Sequence, residues 1–419
     1  MSHHGKLRQP RPDRARSLRR AMTLLPLLAA LSTAGCAEAP STERAGTPAQ
    51  FYEVFDISDA TLSPDGTVLA FSGLPAEPDW QTRLTHRTWF LDLGTMTVIH
   101  STPSGWMCFL PRWGPGTSYV QKWLAPGPVE ALYWTDTASR PPVLLAGDRT
   151  MPPGFSVSQE ACLDPRLRWA AIEATPSSFT DGTYRMQLFA LPLPTGSPVT
   201  KVWESVHYIP LLGAVQDPFD SEGALVLLIS PSPTDEGAWP LELIALSCPS
   251  GTVRWRRTLD VPSTCSSSAF RPLAAYEGHQ VLVAGEFTIP APAGPKLVSR
   301  IWLVDVQRGD VRQVGEVPSD CKWIATVQQS DRRTSVFLSS AFEVWFVSDL
   351  GGDSRPEMIV ACGRLAWPAG VRYHPVHGLE VYTATRHCIW RCRLKDGTVE
   401  CIWGAPGDDD HPPTILAPR

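Results

Sequence analysis

A strand-like pattern that recurs along most of the chain limits what it can fold into. From Phe51 onward, apolar runs of four to seven residues alternate with Gly, Pro, Asp and Ser, which is typical of many short strands. One type of run recurs seven times, with spacings of 50, 51, 56, 56, 54 and 45 residues. The seven runs begin at Val68, Ser118, Trp169, Leu225, Val281, Ser335 and Glu380.

Each repeat offers four strand candidates, because further apolar runs lie before and after the recurring one. Seven units of this kind predict an all-β fold, a seven-bladed β-propeller with four antiparallel strands per blade and the recurring run as second strand. Each small sheet can bury both faces only against its neighbours in a ring. The sixteen Trp residues are spread over all seven units, as expected for a core between blades. Two stacked β-sandwiches are the alternative, although no linker interrupts the repeats.

The propeller must also close between its first and last units. Both units contain a full set of strand candidates. We therefore expect the ring to close by packing of the two blade faces rather than by a strand exchanged from the far terminus. Residues 51–55 could add an edge strand there. No helix longer than about two turns is expected after residue 51.

Unit one carries a family resemblance. Its residues Ile57–Phe71, ISDATLSPDGTVLAF, resemble the "SPDG…LAF" repeat of WD40-like propellers, which occur in TolB and in prolyl-oligopeptidase-type peptidases. The Pro-Asp-Gly element is eroded in the other units. The resemblance implies the fold and leaves the function open, because propellers host binding proteins and unrelated enzymes.

The N-terminus has the organisation of a secretory signal. A basic stretch from Lys6 to Arg20 precedes an apolar run, Ala21 to Leu31, and small residues ending at Cys36. Such a run is too short to span a bilayer as a helix, which takes about 20 residues. The segment before Cys36 resembles a lipoprotein lipobox, which implies lipidation of Cys36; ordinary secretion is the alternative. We therefore predict a signal peptide (1–35), a flexible tether (36–50), the propeller (51–405) and a disordered C-terminal tail (406–419).

The charge of the processed chain restricts its partners. Without residues 1–35 the chain has 30 basic and 41 acidic residues, a formal charge of −11. This charge disfavours nucleic acid and anionic membrane surfaces as partners. Membrane attachment is therefore expected through the lipid only, on the periplasmic side or at the outer membrane of a bacterial envelope. The expected state is a monomer.

Common catalytic motifs are absent from the sequence. It contains no G-x-S-x-G, no H-E-x-x-H and no G-x-x-x-x-G-K-[ST]. We therefore expect a non-catalytic binding or scaffold module without a cofactor, whose partner is an envelope protein or a glycan. The alternative is a propeller enzyme of the lyase, lactonase or cyclase type, with its site in the central channel.

A few residues are candidates for binding. His374 and His377 form a close His pair that could ligate a metal with Glu380 or Asp396, although no metal site is predicted, because such pairs are usually solvated loop residues. Trp106 and the pair His207-Tyr208 precede the inner strands of their units. They are candidates for a ligand-facing surface, with ordinary blade packing as the alternative.

The cysteines allow one pairing prediction. Asp396-Gly397 between two apolar-rich strands indicates a two-residue type I′ hairpin turn. A turn centred there places Cys392 opposite Cys401 and Arg393 opposite Glu400. Facing residues in a non-hydrogen-bonded pair lie about 4.5 Å apart at their Cα atoms, within the reach of a disulfide. The predicted disulfide is therefore Cys392–Cys401, with two reduced cysteines as the alternative.

Overall fold

The chain folds into β-strands throughout the part that the structure describes. The computed structural model describes residues 54–75, 86–103, 106–124, 130–147, 150–176, 186–196, 198–205, 211–215, 222–229, 241–259, 274–275, 279–289, 292, 294, 296–318, 320, 322–328, 334–340, 342–347, 350, 356–363 and 366–417. Within these ranges there is no helix, and so no helix of the length and hydropathy needed to cross a membrane.

The first three blades follow one another along the chain. Blade one consists of β1 (Val54–Leu62), β2 (Val68–Pro75), β3 (Arg87–Asp92) and β4 (Thr97–Ser101). Blade two consists of β5 (Met107–Cys108), β6 (Arg112–Trp113), β7 (Tyr119–Leu124), β8 (Glu130–Thr135) and β9 (Val143–Gly147). Blade three consists of β10 (Phe155–Leu163), β11 (Trp169–Pro176), β12 (Met186–Pro192) and β13 (Thr200–Ser205).

The remaining four blades repeat this arrangement. Blade four consists of β14 (Leu211–Val215), β15 (Gly223–Ile229), β16 (Leu241–Cys248) and β17 (Val253–Leu259). Blade five consists of β18 (Ala274–Ala275), β19 (Gln280–Ile289), β20 (Lys296–Asp305) and β21 (Val311–Val317). Blade six starts with β22 (Trp323–Gln328), β23 (Thr334–Ser339), β24 (Glu343–Val347) and β25 (Glu357–Ala361), and blade seven consists of β26 (Trp367–His374), β27 (Gly378–Ala384), β28 (Cys388–Arg393) and β29 (Thr398–Gly404).

Every blade is an antiparallel sheet whose strands pair in sequence order, except at the start of blade two, where β5 and β6 both pair with β7. The seven recurring runs all lie on the second strand of a blade, on β2, β7, β11, β15, β19, β23 and β27. The predicted seven-bladed propeller is therefore confirmed, together with the equivalence of these strands.

The second strands are apolar on both faces because a neighbouring blade covers each face. Leu69, Ala70 and Phe71 are successive residues of β2, and none is exposed. Within the described ranges, buried apolar residues form seven clusters, one between each pair of adjacent blades. Such burial is the main favourable contribution to folding, about 25 cal/mol per Å² of apolar surface.

Blades one and seven close the ring by face packing, as predicted. The cluster at this interface joins Phe71 and Trp89 of blade one to Tyr382 and Trp403 of blade seven. The backbone N–H of Ile57 donates a hydrogen bond of 2.6 Å to the carbonyl of Arg386. Each of the two blades has its own four strands, so among the described residues no strand is exchanged between blades one and seven.

Two blades depart from the four-strand pattern. In blade two the inner strand is split, and both β5 and β6 pair with β7. In blade six a fifth strand, β30 (Thr414–Ile415), pairs with β25. The prediction of a disordered tail from residue 406 is therefore wrong, because the segment after blade seven folds back and satisfies the outer edge of blade six.

Candidate functional site

The turn between the first two strands of blade seven brings two histidines together. His374 ends β26 and pairs with Gly378, which begins β27. The Nδ1 atom of His374 accepts hydrogen bonds from the backbone N–H groups of Val376 at 3.2 Å and His377 at 3.3 Å. The two imidazole rings are stacked, with centroids 4.5 Å apart. The turn therefore fixes both rings in one orientation.

A buried carboxylate completes the group. Glu380 lies two residues into β27 and is fully buried, whereas the two histidines are half-buried. One potential ligand atom from each of His374, His377 and Glu380 lies within 4.8 Å of the others. Asp396, the other carboxylate suggested by the sequence, lies in a different turn, where it accepts the N–H of Thr398 at 3.0 Å.

The two oxygens of Glu380 have different surroundings. Oε2 accepts hydrogen bonds from Nε of Arg372 at 2.8 Å and from the hydroxyl of Tyr382 at 2.7 Å. Oε1 is buried without a hydrogen-bond partner, and its ion-pair contact is Nε of Arg393 at 3.7 Å. A buried carboxylate oxygen without a hydrogen bond is costly unless a ligand satisfies it.

Strand pairing builds a charged ladder on the face of blade seven that contacts blade one. Arg372, Glu380 and Arg393 are successive partners across β26, β27 and β28. In the next row Arg391 pairs with Glu400, and Arg393 also contacts Glu400 at 2.9 Å. These side chains comprise three guanidinium groups and two carboxylates, which leaves one positive charge uncompensated.

Arg372 connects this ladder to blade one. Its Nη1 donates a hydrogen bond of 2.9 Å to the carbonyl of Gly66, and its guanidinium lies 5.3 Å from the ring centroid of Tyr382. The Arg372–Glu380 ion pair is therefore part of the ring closure as well as of the candidate site.

The surroundings shift the pKa values of the site residues. Burial alone raises the pKa of Glu380, but hydrogen bonds from Tyr382 and Arg372 outweigh it and hold this pKa below its usual value. The pKa of His374 is lowered, first by burial and further by the nearby positive charge of Arg372, although Glu380 opposes the shift. A charged carboxylate and a neutral imidazole are the forms that bind a metal.

The donor set fits a first-row divalent metal ion. Two imidazoles and one carboxylate are ligands that Zn²⁺ takes, with further positions left for water or another donor. Because Nδ1 of His374 accepts hydrogen bonds, the ring in this tautomer carries its hydrogen on Nε2, and Nδ1 presents the lone pair. Coordination by His374 would therefore replace two long hydrogen bonds, and the nearby arginines would weaken the affinity.

The other binding candidates have different outcomes. Trp106 is half-buried and packs edge-on against Trp123 and Tyr133, with ring centroids 5.9 and 6.4 Å away. Its contacts are those of blade packing, and its ligand-binding role stays a prediction. His207 and Tyr208 lie outside the described residues, as does Cys36.

The predicted register of the last hairpin is wrong. Cys392 is opposite Val399, Cys401 is opposite Trp390, and both cysteines are free thiols. The loop spans four residues, 394–397, rather than two, and the N–H of Gly397 bonds to the carbonyl of Arg393 at 3.1 Å. The cross-strand pairing that supported the Cys392–Cys401 disulfide is therefore absent.

Sequence reasoning missed a bulge in β29, for which the sequence offered no signal. Ile389 is opposite Trp403, but Trp390 is opposite Cys401, so Ile402 is the extra residue and Cys388 is opposite Gly404.

Comparisons with known proteins agree on the architecture. No family model matches the sequence, and no curated protein matches it either. Similar solved structures include the β-propeller domain of the Trilobed protease from Pyrococcus furiosus, at 10% identity and a TM-score of 0.48, covering 85% of this chain and 98% of that one. An oligogalacturonate lyase from Vibrio parahaemolyticus matches at 9% identity and a TM-score of 0.47, covering 82% and 92%.

The acylaminoacyl peptidase of Pyrococcus horikoshii is also similar, at 9% identity and a TM-score of 0.50, covering 84% of this chain and 53% of that one. At such identities the likeness concerns the fold alone. The chain is an all-β protein with the architecture of a seven-bladed β-propeller.

Proposed function

We propose that this chain is an exported, lipid-anchored β-propeller of the bacterial envelope that acts as a metal-dependent binding module. The observation that carries the proposal is the group formed by His374, His377 and the unpartnered Oε1 of Glu380. Three protein ligands leave coordination positions open. A carboxylate or hydroxyl of an envelope protein or glycan can occupy them, which makes the ion a bridge between propeller and partner.

Export and anchoring rest on the sequence of residues 1–36, and the charge of −11 supports attachment through lipid rather than through the protein surface.

The location of the site favours a binding role. His374 and His377 are half-buried at a turn that follows the first strand of blade seven, and surface turns of this kind commonly carry binding residues.

The metal proposal is tested by calorimetric titration of the chelator-treated protein with Zn²⁺. We expect one ion per chain, with a dissociation constant of about 1–10 μM because the arginines oppose cation binding. His377→Ala and His374→Ala should each weaken binding at least about tenfold. His411→Ala is the matched control, because His411 is exposed and outside the group, and it should bind as the wild type does.

Binding that is unaffected by both histidine substitutions, or no binding at all, would contradict the proposal. A loss of binding in His377→Ala with an unchanged circular dichroism spectrum would attribute the effect to coordination rather than to folding.

The open coordination positions also favour a second candidate, a metal-dependent propeller enzyme of the lyase, lactonase or cyclase type. Catalytic metal sites commonly have three protein ligands and one exchangeable position. Lactone and uronide substrates offered to the zinc-loaded protein discriminate between the candidates. Turnover that disappears in His377→Ala would favour the enzyme, and binding without turnover would favour the module.

A further inference from the structure

Two turns of blade seven lie side by side at one end of the blade. The first is the histidine turn, residues 374–378, and the second is the four-residue loop 394–397. The backbone N–H of Leu394 donates a hydrogen bond of 3.0 Å to the carbonyl of Leu379. This bond joins the loop to the strand that follows the histidine turn, so side chains of the loop lie beside the candidate metal site.

Lys395 brings a cation to this site. Its stem lies over the histidine turn, because a Cβ atom on Gly378 would be 3.6 Å from Cβ and 3.8 Å from Cδ of Lys395. The side chain is exposed, and within the described residues its ammonium group makes no ion pair. Arg372, by contrast, is engaged by Glu380. Lys395 is therefore available to pair with a bound anion.

The charges around the site favour an anion over a neutral hydroxyl as the ligand that completes the metal coordination. The ladder of arginines and glutamates in blade seven carries one uncompensated positive charge. Lys395 and Asp396 contribute one charge of each sign, and a bound Zn²⁺ adds two positive charges. The loaded site is thus strongly positive, and a carboxylate gains a Coulomb attraction that a hydroxyl does not.

An exposed apolar tip lies next to the histidines. Val376 is 67% exposed, and Pro375 before it is exposed as well. The backbone N–H of Val376 donates to Nδ1 of His374 at 3.2 Å, which holds the tip at the site. A carboxylate that carries an apolar side chain can bury that side chain against the tip, whereas the carboxylate of a sugar acid is surrounded by hydroxyl groups. This difference favours a peptide over a glycan.

We propose that the metal site of blade seven captures the C-terminal carboxylate of a partner protein whose last residue is apolar. One carboxylate oxygen takes an open coordination position of the metal ion, and the other accepts a hydrogen bond from the ammonium group of Lys395. The apolar side chain covers Val376. This inference rests on the metal-dependent binding module proposed above and names the chemistry of its partner.

Calorimetric titration of the zinc-loaded full chain with N-acetyl-leucine tests the inference. We expect a dissociation constant of about 1 mM, and about tenfold weaker binding of N-acetyl-leucinamide, which keeps the side chain but has no charge. Lys395→Gln should weaken the binding of N-acetyl-leucine about fivefold, because a charge-assisted hydrogen bond is lost. Its zinc affinity should stay the same or rise, since a cation near the metal is removed.

Lys296→Gln is the matched control. Lys296 is exposed and lies on β20 in blade five, so the variant should bind zinc and N-acetyl-leucine as the wild type does. With Co²⁺ in place of Zn²⁺, N-acetyl-leucine should shift the visible absorption bands of the ion, because a carboxylate oxygen enters its coordination shell.

A second comparison separates a peptide from a glycan. Val376→Ser should weaken the binding of N-acetyl-leucine and leave the binding of acetate unchanged, because only the first ligand has a side chain to bury. Glucuronate should bind the wild type no more tightly than acetate does.

Each contrary outcome has a separate meaning. Intact zinc binding with equal affinity for N-acetyl-leucine and its amide, or with no effect of Lys395→Gln, would overturn this inference and leave the metal module standing. Glucuronate that binds more tightly than N-acetyl-leucine would assign the site to a glycan and overturn the inference as well. An absence of zinc binding would overturn both proposals, and the zinc titration without other ligands identifies that case.

Discussion

The interface between blades one and two contains a buried histidine that should make the protein sensitive to mild acid. His100 lies on β4 and is 4% exposed. Its ring stacks on Phe90 with centroids 4.2 Å apart, and its Nε2 lies 3.1 Å from the hydroxyl of Tyr119. Burial lowers the pKa of His100 from 6.5 to about 4, with a smaller opposing effect of the Ala138 backbone.

The direction of the stability change follows from the pH at which each state, unfolded or native, protonates His100. The unfolded chain protonates this imidazole near pH 6.5, and the native state only near pH 4. Between these values the unfolded state holds one more proton, so the free energy of unfolding decreases by about 1.4 kcal/mol for each unit by which the pH falls. The full contribution is present above pH 6.5, and about 3 kcal/mol is lost by pH 4.

Urea unfolding followed by tryptophan fluorescence measures this loss at pH 7, 6, 5 and 4.5. His100→Phe keeps an aromatic ring on Phe90 but cannot titrate, so its stability should fall less than that of the wild type over this range. Tyr119→Phe is the control, because it removes the hydroxyl and keeps the imidazole, and it should retain the wild-type slope. Subtracting the free energy of unfolding of His100→Phe from that of the wild type at each pH cancels the contribution of carboxylates with lowered pKa values, such as Asp410.

Parallel stability curves for the wild type and His100→Phe between pH 7 and 4.5 would refute the reasoning. That result would mean that the native state protonates His100 as readily as the unfolded chain does, through water entry or opening of the interface.

Three further predictions concern other parts of the chain. Glu380→Gln should destabilise the fold by about 3–5 kcal/mol in urea unfolding, because it leaves a buried guanidinium unpaired, whereas Glu400→Gln, at a partly exposed pair, should cost about 0–1 kcal/mol; equal effects would contradict this. Gly404→Ala should lower the thermal midpoint more than Gly397→Ala, because both have positive φ but only the first would place Cβ against backbone; the reverse order would contradict the reasoning. Cys36→Ser should abolish acyl labelling and release the protein from membranes or block its processing, and unchanged attachment would rule out the lipoprotein assignment.

Much of the fold was predictable because the repeat is set by burial on both faces of a strand. A second strand such as Leu69–Phe71 is apolar at every position, since blades cover it from both sides, and this signal survives the loss of the Pro-Asp-Gly element. The first strands were harder to place. In blade two the inner strand is divided into two short pieces, and in blade five the described part of the inner strand is Ala274–Ala275.

The register of the last hairpin shows where local signals fail. A type I′ turn needs positive φ at both central residues, but only Gly397 has it, and Asp396 does not. Asp-Gly therefore occupies the end of a four-residue loop, with the aspartate side chain accepting the N–H of Thr398. The numbers of paired residues therefore sum to two less than predicted, which places Cys401 opposite Trp390 instead of Cys392. This four-residue loop has no sequence signature that differs from that of the two-residue turn.

The candidate site could be predicted only in part from the sequence, because strand pairing again decides which side chains meet. His374 and His377 are three residues apart and visible as a pair, but Arg372, Glu380 and Arg393 meet only through strand pairing. The two oxygens of Glu380 differ, because Oε2 accepts a hydrogen bond from Arg372, which also bonds to blade one, while Oε1 has no hydrogen-bond partner. Metal binding at Oε1 would therefore act on the carboxylate that connects blade seven to blade one. The Arg372 guanidinium that supports ring closure would lie close to the proposed metal ion and repel it, so ring closure and metal affinity oppose each other at this residue.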